Sequence, residues 1–167
     1  MNNRHHTLLV CVALLGAVLL GGGCAAYQIT TPEAMVELPQ SSLRGTYVYR
    51  ATTTDPVVVA VRIERMGPRE ATPRGSLDFW SEAISRALRD LQGYALLETH
   101  DVRSADGRSG RQLRFGRDQD NHAYLYWVTI FVTEKRLHLI EAGGERAAFE
   151  AQRAHVEAAI ESYEVRR

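Results

Sequence analysis

The sequence predicts an α+β domain: a mostly antiparallel β-sheet of about six strands with two main helices packed on it. Three observations carry this. Two stretches, 76–92 and 145–163, place residues that are apolar but for Gln152 at spacings of 3, 4, 4 and 3, the mark of a helix with one buried face. Four short apolar or alternating stretches lie between them, joined by turn residues. Two more precede the first helix, so the order is two strands, helix, four strands, helix.

The chain bears this out element by element. Residues 30–39 form an extended leading segment, broken by Pro32 and Pro39. Residues 46–51, with Tyr47, Val48 and Tyr49, suit a strand. Asp55-Pro56 marks a turn, and 57–63 return as a strand with Val57, Val59, Val61 and Ile63 on one face and Val58, Ala60 and Arg62 on the other. Gly67, Pro68, Pro73 and Gly75 make 65–75 a loop. Ser76 is the expected cap of the first helix, Asp78 sits in its first turn, and Gly93 ends it. The buried stripe reads Leu77, Trp80, Ile84, Leu88, Leu91.

Residues 94–103 and 110–115 read as a hairpin about Asp106-Gly107, and 116–122 as a polar loop. Residues 124–133 are the strongest strand. Tyr124, Tyr126, Val128 and Ile130 line one face and Leu125, Trp127 and Phe131 the other, so both sides are covered and the strand lies inside its sheet. Residues 137–142 are its partner, and Gly143-Gly144 is expected to end that strand. One helix then spans about 145–163, with Phe149, Gln152, Val156, Ile160 and Tyr163 on its buried stripe.

Ahead of the domain, Arg4 gives a positive start and 8–20 form an uncharged apolar run, which Gly21-Gly22-Gly23-Cys24 follow. The run is in the range of a secretory signal core and short of the roughly 20 residues needed to span a bilayer. The arrangement resembles the lipobox of bacterial lipoprotein signal peptides. One departure stands out: Gly21 occupies the place of the usual leucine, with Leu20 one position earlier. The resemblance implies cleavage after Gly23, a lipid such as palmitate on the Cys24 thiol, and membrane attachment through it. The chain then divides into a signal peptide over 1–23, a lipidated tether over 24–29 and a single domain over 30–167. Ala25 after the lipidated cysteine fits the periplasmic face of an outer membrane, if the cell has one. The cysteines are Cys11 and Cys24, so the domain itself has no disulfide to hold it.

With 20 basic and 20 acidic residues the net charge is zero, which argues against nucleic-acid binding. All but Lys135 of the basic residues are arginine.

The element order, with particular residues, is similar to the PsbP-like superfamily. This fold is shared by the PsbP extrinsic subunit of photosystem II, a Ran-binding nuclear import protein and many bacterial envelope lipoproteins. The residues that carry the resemblance are Glu37-Leu38-Pro39, the helix over 77–91 with Gly93-Tyr94-Ala95-Leu96-Leu97 after it, and Gly110-Arg111-Gln112-Leu113. The aromatic strand over 124–131 and the closing helix near Ser162-Tyr163 complete them. The resemblance implies an antiparallel sheet sandwiched with helices, and roles in binding or assembly. Ran binding is not carried over, because no residue matches it.

Chemical motifs are sparse. Gly107-Arg108-Ser109-Gly110 lacks the spacing of a nucleophile elbow. Asp118-Gln119-Asp120 begins like a calcium loop, but the required Gly and the terminal Glu are absent. His100, His122, His138 and His155 show no metal-ligand spacing. No metal, cofactor or catalytic residue is expected. Arg103, Arg108, Arg111, Arg114 and Arg117 fall in one hairpin, while the last helix carries Glu145, Glu150, Glu157, Glu161 and Glu164. The arginines are the candidate partner-binding residues. The expected function is a lipid-anchored, non-catalytic binding or assembly module of the bacterial envelope, with a protein partner. The alternative is a small-molecule carrier with an aromatic cleft between helix and sheet, walled by side chains such as Trp80 and Trp127.

Overall fold

A computed structural model describes residues 25–39, 41, 46–66 and 75–166. The lipobox-like start, including Cys24, lies outside the described residues. In chain order the elements are β1 (Tyr27–Gln28), β2 (Val36–Glu37), β3 (Tyr47–Thr52), β4 (Val58–Arg65), α1 (Leu77–Gln92), β5 (Ala95–Arg103) and β6 (Ser109–Gln119). They continue with β7 (His122–Val132), β8 (Arg136–Glu145), α2 (Arg146–Ala151), α3 (Arg153–Glu161) and β9 (Glu164–Val165). Seven strands form one sheet in the order β2-β3-β4-β8-β7-β6-β5, with every neighbouring pair antiparallel. The α+β class, an antiparallel sheet with helices packed on it, is as expected. The strand count is higher than about six, because β1, β2 and β9 are two-residue strands too short to leave a periodic pattern.

Helices cover the sheet on both faces. On one face, Leu88 of α1 packs on Leu113, Phe115, Val128, Ile130, Leu137 and Leu139, with Trp80, Ile84, Tyr94 and Tyr126 partly buried beside them. On the other, Phe149 of α2 and Val156 and Ile160 of α3 pack on Val59, Val61, Leu125, Trp127, Phe131, Ile140 and Ala142. Alternation along β7 and β8 feeds both cores at once. Trp127 is 1% exposed and meets the Phe149 ring edge-on, with centroids 4.8 Å apart.

α1 begins and ends as its sequence requires. The Ser76 hydroxyl accepts from the Phe79 N–H at 3.1 Å, and Gly93 closes the helix in the left-handed region at φ 70°. Its buried stripe is rotated from the expected one. Ser81, Ser85 and Leu88 are buried, and Leu91 is 82% exposed. At 3.6 residues per turn, Leu91 lies about 100° from the midline between the two serines. The serines are small enough to let the helix approach the sheet, and the Ser81 hydroxyl is satisfied by the Leu77 carbonyl at 2.7 Å.

Four further expectations are corrected. Gly143-Gly144 does not end β8, which runs on to Glu145. A side chain at Gly143 would come 3.1 Å from the Tyr126 ring, and one at Gly144 3.1 Å from Val57 and the Pro56 carbonyl, so these glycines permit close passage rather than a break. The last helix is two helices. Gln152 stands between them at φ −105° and ψ 6°, yet Phe149, Val156, Ile160 and Tyr163 stay buried. The polar loop over 116–122 is mostly strand. Its turn is Asp120-Asn121, both with positive φ, in a tight two-residue hairpin. The tether over 24–29 is not free along its length: Tyr27 and Gln28 pair with Val165 and Glu164 of β9.

Tyr163 ties this terminal strand pair to the core. Its ring stacks on Phe131 at 5.8 Å and on Tyr27 at 5.9 Å, and its hydroxyl meets His138 Nδ1 at 2.7 Å. His138 is fully buried in β8. Burial, then the charges of Arg136 and Arg108, push it down to about 4, against the opposing pull of Asp106. The unfolded chain takes up this proton near pH 6.5, the folded chain only near 4. Neutral His138 therefore favours the fold fully above about pH 6.5, and that contribution is lost as pH falls toward 4, amounting to about 3 kcal/mol. His138→Gln, which keeps a partner for the Tyr163 hydroxyl, is expected to lose clearly less stability than the wild type between pH 7 and pH 4. Urea unfolding of both proteins across that range measures the difference.

Candidate functional site

Alternation on the α1 face of β8 runs Leu137, Leu139, Glu141, Gly143. Glu141 is a carboxylate at a position where the pattern calls for an apolar residue. It stands near the middle of the seven-stranded sheet, between Ala60 of β4 and Val128 of β7, and is 7% exposed. An isolated charge buried this way is strongly disfavoured, so its partners decide whether the fold tolerates it.

Those partners come from three strands. The Tyr47 hydroxyl of β3 donates to Glu141 Oε2 at 2.8 Å. Arg62 Nη2 of β4 donates to Oε1 at 2.9 Å, and Arg62 Nη1 also lies 3.3 Å from Glu64. The Tyr126 hydroxyl of β7 faces the same carboxylate. Burial, then the Glu141 charge, holds the Tyr126 hydroxyl far above its ordinary range. Burial and the Glu141 hydrogen bond raise Tyr47 as well. Both tyrosines therefore stay protonated at neutral pH and act as donors. The Nε of Arg62 is buried with no partner among the described residues.

This cluster floors an open cleft of about 290 Å³ beneath the C-terminal half of α1. Ile84, Ala87, Leu88 and Gln92 form the wall above, and Val128 adds apolar floor. What enters meets hydrogen-bond donors, a carboxylate and an apolar wall. The cleft between helix and sheet has its aromatic lining in Tyr47 and Tyr126. Trp80 and Trp127 do not share it, because they belong to opposite faces of the sheet.

The structure divides the five hairpin arginines. Arg111 lies on the α1 face and bridges Asp78 at 2.5 Å and Asp101 at 3.1 Å. Arg117, on the same face, lies 5.5 Å from the Tyr94 ring centre. Arg114 points to the other face. It sits 3.9 Å above Trp127, accepted by Gln112 Oε1 at 2.7 Å and paired with Glu98 at 3.3 Å and Glu157 at 3.7 Å. Arg103 and Arg108 flank the hairpin turn. Arg114 of the hairpin thus pairs with Glu157 of α3, Glu145 and Glu164 lie in β8 and β9 rather than on one acidic helix, and the five arginines do not form one surface. Asp118 and Asp120 lie at the hairpin turn between β6 and β7. Among the described residues, no group of three or more His, Cys, Asp or Glu side chains is placed to hold a metal ion.

Sequence reasoning missed Arg62, Tyr47 and Glu141 as a unit. The available sign was a charge following apolar residues on one face of each of two strands, Arg62 after Val58 and Ala60, and Glu141 after Leu137 and Leu139. Glu141→Ala leaves Arg62 and two tyrosine hydroxyls without their acceptor and is expected to destabilise the fold by about 2–4 kcal/mol. Glu141→Gln keeps an acceptor and is expected to cost about half as much or less. Urea midpoints of the two variants provide the comparison.

By sequence the chain matches no protein-family model and no curated protein. By structure it is similar to LpqN of Mycobacterium tuberculosis, described as involved in cell envelope biogenesis, with a TM-score of 0.66 and 14% identity over 84% of this chain and 83% of that one. It is also similar to cyanobacterial PsbP (CyanoP) of Synechocystis sp. PCC 6803, with a TM-score of 0.53 and 14% identity over 87% of this chain and 95% of that one. The fold is PsbP-like.

Proposed function

We propose that this PsbP-like chain is a lipid-anchored, non-catalytic binding module of the bacterial envelope, and that its ligand or partner engages the cleft beneath α1. The observation that carries the proposal is Glu141. Its carboxylate is buried where an apolar residue would serve stability as well or better, and it is held by Arg62 and Tyr47 at the floor of a cleft that opens to solvent. Donors, an acceptor and an apolar wall together suit recognition of a small polar group or of one side chain of a protein partner.

Two things support the envelope. The sequence over 4–24 has the order of a lipoprotein signal, with Cys24 as the acceptor. The mycobacterial LpqN, which shares the fold, is described as acting in cell envelope biogenesis. The periplasmic face of an outer membrane is the expected site where the cell has one. A second reading, a small-molecule carrier, is favoured by the cleft itself. Its volume of about 290 Å³ falls just short of the usual range of ligand sites, which leaves this the second reading.

Mass spectrometry of the protein purified from membranes tests the anchor. The expected terminus is Cys24 bearing acyl chains, and Cys24→Ser is expected to remain uncleaved. An unmodified, uncleaved wild-type terminus would contradict the anchor. A photo-crosslinking residue at Ala87, on the cleft wall, tests the site. It is expected to capture one reproducible species in the envelope, lost in Glu141→Gln and absent with the probe at Asp118. A protein adduct supports the assembly role and a low-mass adduct the carrier. Equal capture at both positions, or none, would overturn the site.

A further inference from the structure

The chain leaves its proposed anchor within a very short distance of fixed structure. Only Ala25 and Ala26 separate Cys24 from β1. The Ala26 carbonyl already accepts from the Arg166 N–H at 2.9 Å. The free reach is therefore about 10 Å. β1 pairs with β9, and β9 is pinned to the turn between β5 and β6: the Val165 N–H donates to Asp106 Oδ1 at 2.9 Å, and the Ala105 N–H to the Tyr163 carbonyl at 2.8 Å. One end of the seven-stranded sheet is thus held next to the anchor.

That end is basic. Arg65 at the finish of β4 stands directly across from Arg136 at the start of β8. Like charges in this relation repel, and neither arginine has an ion pair among the described residues. Lys135 is exposed in the adjoining turn, where its carbonyl accepts from the Met66 N–H at 2.9 Å. Arg103 and Arg108 flank the 104–107 turn, and the Nε of Arg108 is buried with no partner among the described residues. Arg166 follows β9. Of the acids at this end, Glu64 is engaged by Arg62, Asp106 by Ser104 and Val165, and Glu164 by Arg166, while Glu134 and Glu161 remain. The far end of the sheet carries Asp55, Asp118, Asp120 and Glu145 alongside Arg117 and Arg146.

We infer that the end of the sheet bearing Arg65, Arg108, Lys135 and Arg136 docks on anionic phospholipid headgroups of the membrane that holds the lipid. The inference rests on the reading of Cys24 as the lipidated residue. The tether reach matches the distance, about 10 Å, over which surface charges act before salt screens them. The unpaired guanidinium groups supply donors suited to phosphate oxygens. The docked orientation turns the far end of the sheet, with the Asp120-Asn121 turn, away from the bilayer.

The test is hydrogen–deuterium exchange on the full-length lipidated protein in two kinds of vesicle, phosphatidylcholine alone and phosphatidylcholine with about one-third phosphatidylglycerol. Exchange at 103–108 and 133–137 is expected to slow several-fold in the anionic vesicles only, with 117–123 unchanged. High salt and Arg65→Glu with Arg136→Glu are expected to abolish the slowing. Lys135→Glu with Arg166→Glu, both exposed, is expected to weaken it without touching the core. Equal exchange in the two vesicles, or slowing at 117–123 instead, would overturn the inference. The mass of the N-terminus in the same sample reports the anchor separately. If Cys24 carries no lipid, the unmodified protein is floated with the same vesicles. Salt-sensitive flotation with phosphatidylglycerol, reduced roughly tenfold by the Arg65 and Arg136 reversals, supports the face, and no flotation overturns it.

Discussion

β8 is hydrogen-bonded to β4 on one side and to β7 on the other, and it is the seam on which the two halves of the sheet close. On one side lies the set β2-β3-β4 from the first part of the chain, and on the other β7-β6-β5. Each of its faces must satisfy a different helical layer. Leu137 and Leu139 meet α1, while Ile140 and Ala142 meet α2 and α3. A register slip of one residue would exchange these sets and expose both cores together.

This strand also carries the two buried histidine and carboxylate groups among the described residues, one to each face: His138 toward Tyr163 and Glu141 toward Tyr47 and Arg62. They have different consequences. His138 is sealed, uncharged and tied to the strand that leads out of the domain, so it fastens the terminal strands to the core. Glu141 is charged, satisfied by three residues and open to a cleft. A sealed polar group needs only its internal partner. A charged group on the floor of a cleft can exchange part of its partnership for a ligand, and this contrast supports placing recognition at Glu141.

Most local structure was legible. Ser76, Asp78 and Gly93 bounded α1, and alternation through Tyr126, Trp127 and Val128 placed β7 inside the sheet, because caps and periodicity act over a few residues. Pairing across long separations left no such mark. Arg62 and Glu141 meet only because β8 returns to β4 across α1 and two hairpins, so the ion pair was invisible until the strand order was known. Gly143-Gly144 signalled a break from composition alone, whereas packing against Tyr126 and Val57 explains why glycine stands there in a continuing strand. Ser81 and Ser85 misled in the same way. Hydrophobicity pointed the helix toward Leu91, while close approach to the sheet selected the small residues.

If Glu141 and Arg62 serve recognition rather than stability, the fold can dispense with the pair. Urea unfolding of the variant Arg62→Met, Glu141→Met, Tyr47→Phe and Tyr126→Phe probes this, since it removes both charges together with the two hydroxyls that donate to Glu141 and leaves apolar side chains of similar volume. The expected stability lies within about 1 kcal/mol of the wild type, or a few kcal/mol above it. A loss of about 3 kcal/mol or more, with the fold otherwise intact, would show that the pair is there to hold the sheet together and would contradict the claim.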